Sequence, residues 1–132
     1  MKLTFEDRGN LREINVQSEE TSDKYLNLLD PVNFPFVILT NENDDYIQCA
    51  GGKTSLTVEI RVHNNGSFKH FRVGSKNESK IWSKIECKVG PIMVLLHEDL
   101  ELQNAIELFH LFYRKKDILE SYNLRNITRQ FT

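Results

Sequence analysis

Hydrophobic and polar residues alternate most regularly between positions 55 and 73. Leu56, Val58 and Ile60 are separated by polar residues, and this period of two predicts a β-strand with one buried face. The pair Asn65-Gly66 favours a two-residue hairpin turn, because both central positions of such a turn need a positive φ. The segment is therefore predicted to be a β-hairpin.

A turn at this pair also predicts the register of the hairpin. Ile60 then lies opposite Phe71 on the buried face. On the other face Glu59 lies opposite Arg72, and Arg61 lies opposite His70. We expect this second face to be charged and exposed to water, as in many antiparallel sheets.

Helical patterns occur near both ends of the chain. Apolar residues recur every three or four positions from about 100 to 116, which predicts a long helix with Phe109 in its buried stripe. A shorter helix is predicted over about 19–29, and Asp30-Pro31 ends it because the residue before proline avoids helical geometry. Ile81, Trp82 and Ile85 are expected to return to the core.

These elements predict one α+β domain over residues 1–132. Its expected architecture is a mostly antiparallel sheet with a central hairpin (about 55–73), a long C-terminal helix (about 100–116) packed on one face, and a short N-terminal helix (about 19–29). The length suits a single core rather than two.

Composition narrows the classes of partner. The chain has 17 basic and 19 acidic residues, a formal charge of −2, so we expect no direct nucleic-acid binding. No apolar run approaches the ~20 residues of a membrane span, so we expect no membrane partner. The acidic start lacks the apolar stretch of an export signal, and the only two cysteines form no disulfide framework. These features predict a cytoplasmic protein.

Motifs for chemistry are few. Gly51-Gly52-Lys53-Thr54 resembles the end of a phosphate-binding loop, but Ile47 occupies the place of its first glycine and a strand follows where a helix is needed. We therefore expect a β-turn there, with no cofactor. No metal-binding spacing is present, so no metal site is predicted. Glu59, His63 and His70 share one face of the hairpin and are the candidates for acid–base chemistry.

Acidic residues concentrate at two places, around Asp44-Asp45 and around Glu98-Asp99. Acidic patches are usually solubilising surface, but they also speed the capture of a basic partner, because complementary fields raise association rates.

Five segments together resemble a group of small bacterial immunity proteins from polymorphic and contact-dependent growth-inhibition toxin systems. They are FPFVILT, YIQCAG, LTVEIRV, LELQNAIELFHLFYRKK and YNLRNIT, and they cover about residues 34–128. The resemblance implies a protein that binds the C-terminal domain of a cognate toxin, and it implies no catalytic residues.

The sequence thus predicts a cytoplasmic immunity protein, not an enzyme, that neutralises a toxin. We expect the toxin to be a nuclease, because nucleases carry the positive charge that acidic residues attract. The predicted partner-binding residues are Glu42, Asp44, Asp45, Glu59, Arg61, Arg72, Glu98 and Asp99. Two alternatives stay open: a small acid–base enzyme that uses Glu59, His63 and His70, and a domain that self-associates through an exposed sheet edge. The toxin's identity, the mode of inhibition and the oligomeric state are left open.

Overall fold

A computed structural model describes residues 1–132. Nine strands and two α-helices follow one another along the chain. They are β1 (Lys2–Asp7), β2 (Asn10–Asn15), α1 (Glu19–Leu26), β3 (Phe36–Thr40), β4 (Tyr46–Gly51), β5 (Leu56–Asn64), β6 (Ser67–Gly74), β7 (Trp82–Ile85), β8 (Ile92–Leu95), α2 (Leu102–Tyr113) and β9 (Asn123–Asn126). Two short 3₁₀ turns lie at Leu96–Glu98 and Thr128–Phe131.

Seven of the strands form one antiparallel sheet in the order β2-β1-β3-β4-β5-β6-β9. Alternate residues of these strands point to one face, which we call the inner face, and there they pack against α1 and α2. This core includes Leu3, Ile47 and Val58 from the sheet and Leu26 and Phe109 from the helices. The predicted core position of Phe109 is confirmed, since it is 0% exposed.

The central hairpin has the predicted register. Ile60 lies opposite Phe71, and Glu59 lies opposite Arg72. Asn65 and Gly66 have φ angles of 50° and 82°, the left-handed values that a two-residue turn of this kind requires. Local turn chemistry and strand alternation agree here, which is why the sequence was sufficient.

The predicted long C-terminal helix over about 100–116 is wrong. The helix α2 has only 12 residues, because Leu100 forms a β-bridge with Leu56 and is held in an extended conformation. At the other end Lys115 has a φ of 58°, which a right-handed helix cannot contain. The arrangement expected from the sequence is corrected accordingly: the molecule is mostly antiparallel sheet with two short helices.

The N-terminal helix is also shorter than predicted, since α1 ends at Leu26 rather than near position 29. The Asn27 side chain donates a hydrogen bond to the carbonyl of Asp23, 2.8 Å away, and Leu28 and Leu29 continue as a turn. Neither helix has the length and apolarity needed to cross a membrane.

Strands β7 and β8 pair with each other and form a separate two-stranded sheet. This small hairpin lies on the outer face of the main sheet, opposite the helices. Ile85 and Val94 are 0% exposed beneath it. The prediction that Ile81 and Trp82 return to the core is wrong, because they are 64% and 58% exposed.

Candidate functional site

The outer face of the central hairpin carries a buried ionic cluster formed by Glu59, Arg61, His70 and Arg72. Glu59, His70 and Arg72 are 8%, 1% and 7% exposed. The prediction of a water-facing surface is therefore wrong for these three residues. Elements distant in sequence cover them, and strand alternation alone cannot report such a cover.

The hydrogen-bond geometry indicates which ring nitrogen of His70 is the acceptor in this cluster. Arg61 Nε donates to His70 Nδ1 at 3.0 Å, so this nitrogen must act as an acceptor. The proton of the neutral ring then lies on Nε2, which donates to Glu59 Oε1 at 2.6 Å. Arg72 Nη2 donates to the other carboxylate oxygen of Glu59 at 3.2 Å. Glu59 thus joins a histidine and an arginine.

Opposing effects act on the pKa of Glu59. Burial raises the pKa, whereas the hydrogen bond from His70 and the charge of Arg72 lower it, and the net result is a pKa below the usual value. Glu59 is accordingly held as a carboxylate. This state suits a counter-ion for Arg72 rather than a general acid.

The cover over this cluster comes from the C-terminal turn and from β8. The ring centroid of Phe131 lies 4.2 Å from that of His70, and the Thr128 hydroxyl accepts a hydrogen bond from the His70 backbone N–H. The carbonyl of Met93 accepts a hydrogen bond of 3.0 Å from Arg72 Nη1. A substrate would have to displace these groups to reach Glu59 or His70.

The three candidates for acid–base chemistry do not form one site. Glu59 and His70 contact each other inside the cluster, whereas His63 binds Asp45 at the end of the hairpin. Asp45 accepts a hydrogen bond of 2.7 Å from the His63 backbone N–H and also approaches its ring. No three or more histidine, cysteine, aspartate or glutamate side chains lie close enough to hold a metal ion.

Most of the predicted partner-binding residues form a hydrogen bond or an ion pair within the chain, although the Glu42 side chain remains 61% exposed. Glu42 forms an ion pair of 3.0 Å with Lys115, Asp45 binds His63, and Asp99 accepts a hydrogen bond from Ser55. Asp44 alone among the eight is exposed without such a bond, and its φ of 64° places it at the tip of the loop. The structure does not gather the eight residues into one surface.

Glu98 shows most clearly why exposure could not be predicted. It is 0% exposed, and both of its oxygens accept hydrogen bonds of 2.8 Å from Arg125. This pair raises the pKa of Arg125. Glu98 also accepts a hydrogen bond from the backbone N–H of Leu95, the residue opposite Trp82 in the small sheet.

The Arg125 guanidinium in turn lies against the ring of Trp82, 5.7 Å from its centroid. The ring is thus contacted by the arginine of a partly buried ion pair, while 58% of the residue remains exposed. A cation that faces a tryptophan ring is attracted to its π-system. Trp82 therefore has an internal contact with Arg125 although it is open to solvent.

Trp82 belongs to an exposed surface that we call the Trp82 face, formed by Trp82, Lys84, Met93 and Leu95. These residues share one side of the small sheet, because Trp82 pairs with Leu95 and Lys84 pairs with Met93. Met93 is 47% exposed and Lys84 is exposed. The alternation Trp82-Ser83-Lys84-Ile85 was the sequence signal for this arrangement, since it places Trp82 with a lysine rather than with Ile85.

A cavity of about 280 Å³ lies beside the small sheet, between its connecting loop and the outer face of β3 and β4. Phe36, Ile38 and Ile92 line it, and an ion pair of 2.9 Å between Lys88 and Glu6 lies at its edge.

The segment from Gly51 to Thr54, which resembles the end of a phosphate-binding loop in sequence, lies where β4 leads into β5. The Gly52 N–H donates a hydrogen bond to the Ser55 carbonyl, and a strand rather than a helix follows.

Comparison with known proteins gives no relative for this arrangement: no family model, curated protein or solved structure matches the chain.

Proposed function

We propose that the chain is a cytoplasmic immunity protein that binds and neutralises a cognate bacterial toxin. The observation that carries the proposal is the Trp82 face, where a large aromatic ring contacts Arg125 and remains exposed. Tryptophan, methionine and arginine are enriched at protein interfaces, and a few aromatic anchors supply most of the binding energy. The resemblance noted in the sequence supports the toxin as the partner.

Binding fits the molecule better than acid–base catalysis does. Glu59 and His70 satisfy each other's hydrogen bonds under Phe131 and β8, and His63 makes its contacts elsewhere. A buried ionic network of this kind fixes the packing of strands and covering segments. In the proposed function the cluster holds the small sheet in place through the bond from Arg72 to Met93.

The activity of the toxin is a separate question from its binding to this chain. The nuclease interpretation depended on exposed acids, and Glu42 and Asp45 are bonded within the chain.

The proposed location in the cytoplasm is supported by the two cysteines, which are both unpaired. Burial raises the pKa of the Cys49 thiol, so this group stays protonated and unreactive.

The test is protection of cells from the product of the adjacent reading frame. The C-terminal domain of that product is expressed from an inducible promoter, with and without this protein, and colony counts are compared. We expect growth to stop without the protein and to continue with it, and we expect the two purified proteins to form a stable complex. A neighbour that is not toxic, or toxicity that the protein does not relieve, would refute the proposal.

A further inference from the structure

We propose that the toxin docks on the Trp82 face with a surface that combines apolar side chains and carboxylates. This inference rests on the proposed function and adds the location of the interface and the charge of the partner. It moves the interface from the acidic loop around Asp44 to the small sheet, whose neighbouring charges are mostly lysines.

The anchor of this interface is supported by contacts within the chain. Glu98 bonds both to Arg125, which supports the Trp82 ring, and to the backbone of Leu95 in the paired strand. An interface residue that is immobilised before binding loses less conformational entropy when it docks. Met93, 47% exposed on the same side, extends the apolar contact next to the ring.

The lysines around Trp82 favour a partner that carries carboxylates. Residues 76–88 contain four lysines and two glutamates, although the whole chain has a net charge of −2. Lys80 and Lys84 flank Trp82, are exposed, and form no ion pair within the chain. Cations that are unpaired beside an apolar anchor are complementary to carboxylates that surround an apolar patch on a partner.

A protein surface fits this face better than an anionic membrane or a second copy does. Glu86, which is exposed one residue past the end of β7, would be repelled by a layer of anionic headgroups. A second copy would bring Lys84 of each chain towards the same lysine-rich segment of the other. A carboxylate-bearing protein surface meets neither obstacle.

The single tryptophan of the chain makes the face directly observable. The protein is produced with 5-fluorotryptophan, and the ¹⁹F signal of Trp82 is followed as the neighbouring toxin domain is added. Two variants test the face: Trp82→Ala, and Lys80→Glu with Lys84→Glu. Isothermal titration calorimetry measures the affinity of every variant, because Trp82→Ala lacks the ¹⁹F probe. Two matched controls alter exposed residues elsewhere: Leu11→Ala, at a position 71% exposed on β2, and Lys69→Glu with Lys116→Glu. Denaturant midpoints confirm that every variant folds.

We expect the ¹⁹F signal to shift on binding, and Trp82→Ala to weaken the affinity about 30-fold or more, the effect of losing a central anchor. The lysine reversal should lower the association rate about 10-fold at low salt and less at high salt, because rim charges act mainly through screened steering. Both controls should bind and protect cells like the wild type.

Several results would overturn the inference while leaving the proposed function intact. If the wild type protects cells and both face variants bind the toxin with full affinity, the Trp82 face is not the interface. Loss of binding in Asp44→Asn, which tolerates the left-handed φ of that position, would return the interface to the acidic loop if Trp82→Ala still binds. A ¹⁹F shift with anionic vesicles, or with protein concentration alone, would assign the face to a membrane or to a second copy. Failure of the wild type to protect refutes the proposed function and this inference together.

Discussion

At the scale of single residues, the cluster around Glu59 shows how burial changes the role of a charged group. The carboxylate binds His70 and Arg72 at once, and removal of one partner from a buried ionic pair leaves the other charge uncompensated. Exposed pairs such as Lys2–Glu13, at 54% and 57% exposure, contribute little because water and salt screen them. The two kinds of pair are therefore expected to respond differently to substitution.

Glu59→Gln should lower the free energy of unfolding by ~3–5 kcal/mol at pH 7. The pKa of Glu59 is lowered in the folded protein, so its contribution is present above the unfolded-state value, about 4.3, and is lost as the pH falls through the folded-state pKa. Denaturation with urea at pH 7, 4 and 3 measures both effects. The wild type should lose more stability across this range than the variant does.

The control for this prediction is Glu13→Gln, which removes an exposed carboxylate of the same size. It should change the stability by no more than ~0.5 kcal/mol. Equal losses for the two variants at pH 7 would contradict the structural role assigned to Glu59, and parallel pH profiles for the wild type and Glu59→Gln would contradict its lowered pKa.

At the scale of elements, α2 stabilises the sheet through its buried stripe rather than through its length. A helix of 12 residues is marginal by itself, so packing of Ala105, Leu108 and Phe109 against the inner face must hold it. Its polar side is tied to α1, because Asp23 bonds to His110 and Glu19 bonds to Arg114. The two short helices thus act as one layer.

Phe109→Ala should lower the free energy of unfolding by ~3–5 kcal/mol, since it removes a large aromatic side chain that is fully buried. Guanidinium denaturation followed by circular dichroism measures the loss. Leu11→Ala, on an exposed side chain of β2, serves as the control and should leave the midpoint nearly unchanged. A Phe109→Ala midpoint equal to that of the wild type would mean that α2 does not pack as the structure has it.

At the scale of the whole molecule, the edge strand β2 is a place where two copies of the chain would be able to pair if their side chains allowed it. The edge strand β2 has no neighbour beyond it and has a free row of backbone N–H and C=O groups. When two copies of β2 pair about a two-fold axis, each residue must meet a residue on the same face of the sheet, so the axis passes through a residue. The two registers that pair five of the six residues of β2 are therefore centred on position 12 and on position 13. Arg12 then meets Arg12 of the other copy, or Glu13 meets Glu13, and both contacts are repulsive.

Arg12→Val with Glu13→Val should therefore promote association through β2. Sedimentation velocity over a range of protein concentrations should show the wild type with no association at this edge and the double variant with a larger species. Leu11→Pro added to the double variant should restore the wild-type behaviour, because proline removes a backbone donor from the edge. An unchanged double variant would show that charge is not what protects this edge.

Features that depend on neighbouring residues could be predicted without the structure. Strand alternation and the Asn65-Gly66 pair predicted the hairpin and its register, and helical periodicity predicted the burial of Phe109. The other features required the tertiary contacts, because burial depends on which distant segment covers a residue. The small sheet and Phe131 turned the charged face of the hairpin inward, the bridge from Leu56 to Leu100 shortened the last helix, and Glu98 placed Arg125 behind an exposed Trp82. Each of these contacts joins residues more than 20 positions apart, a separation at which local patterns carry no information about position.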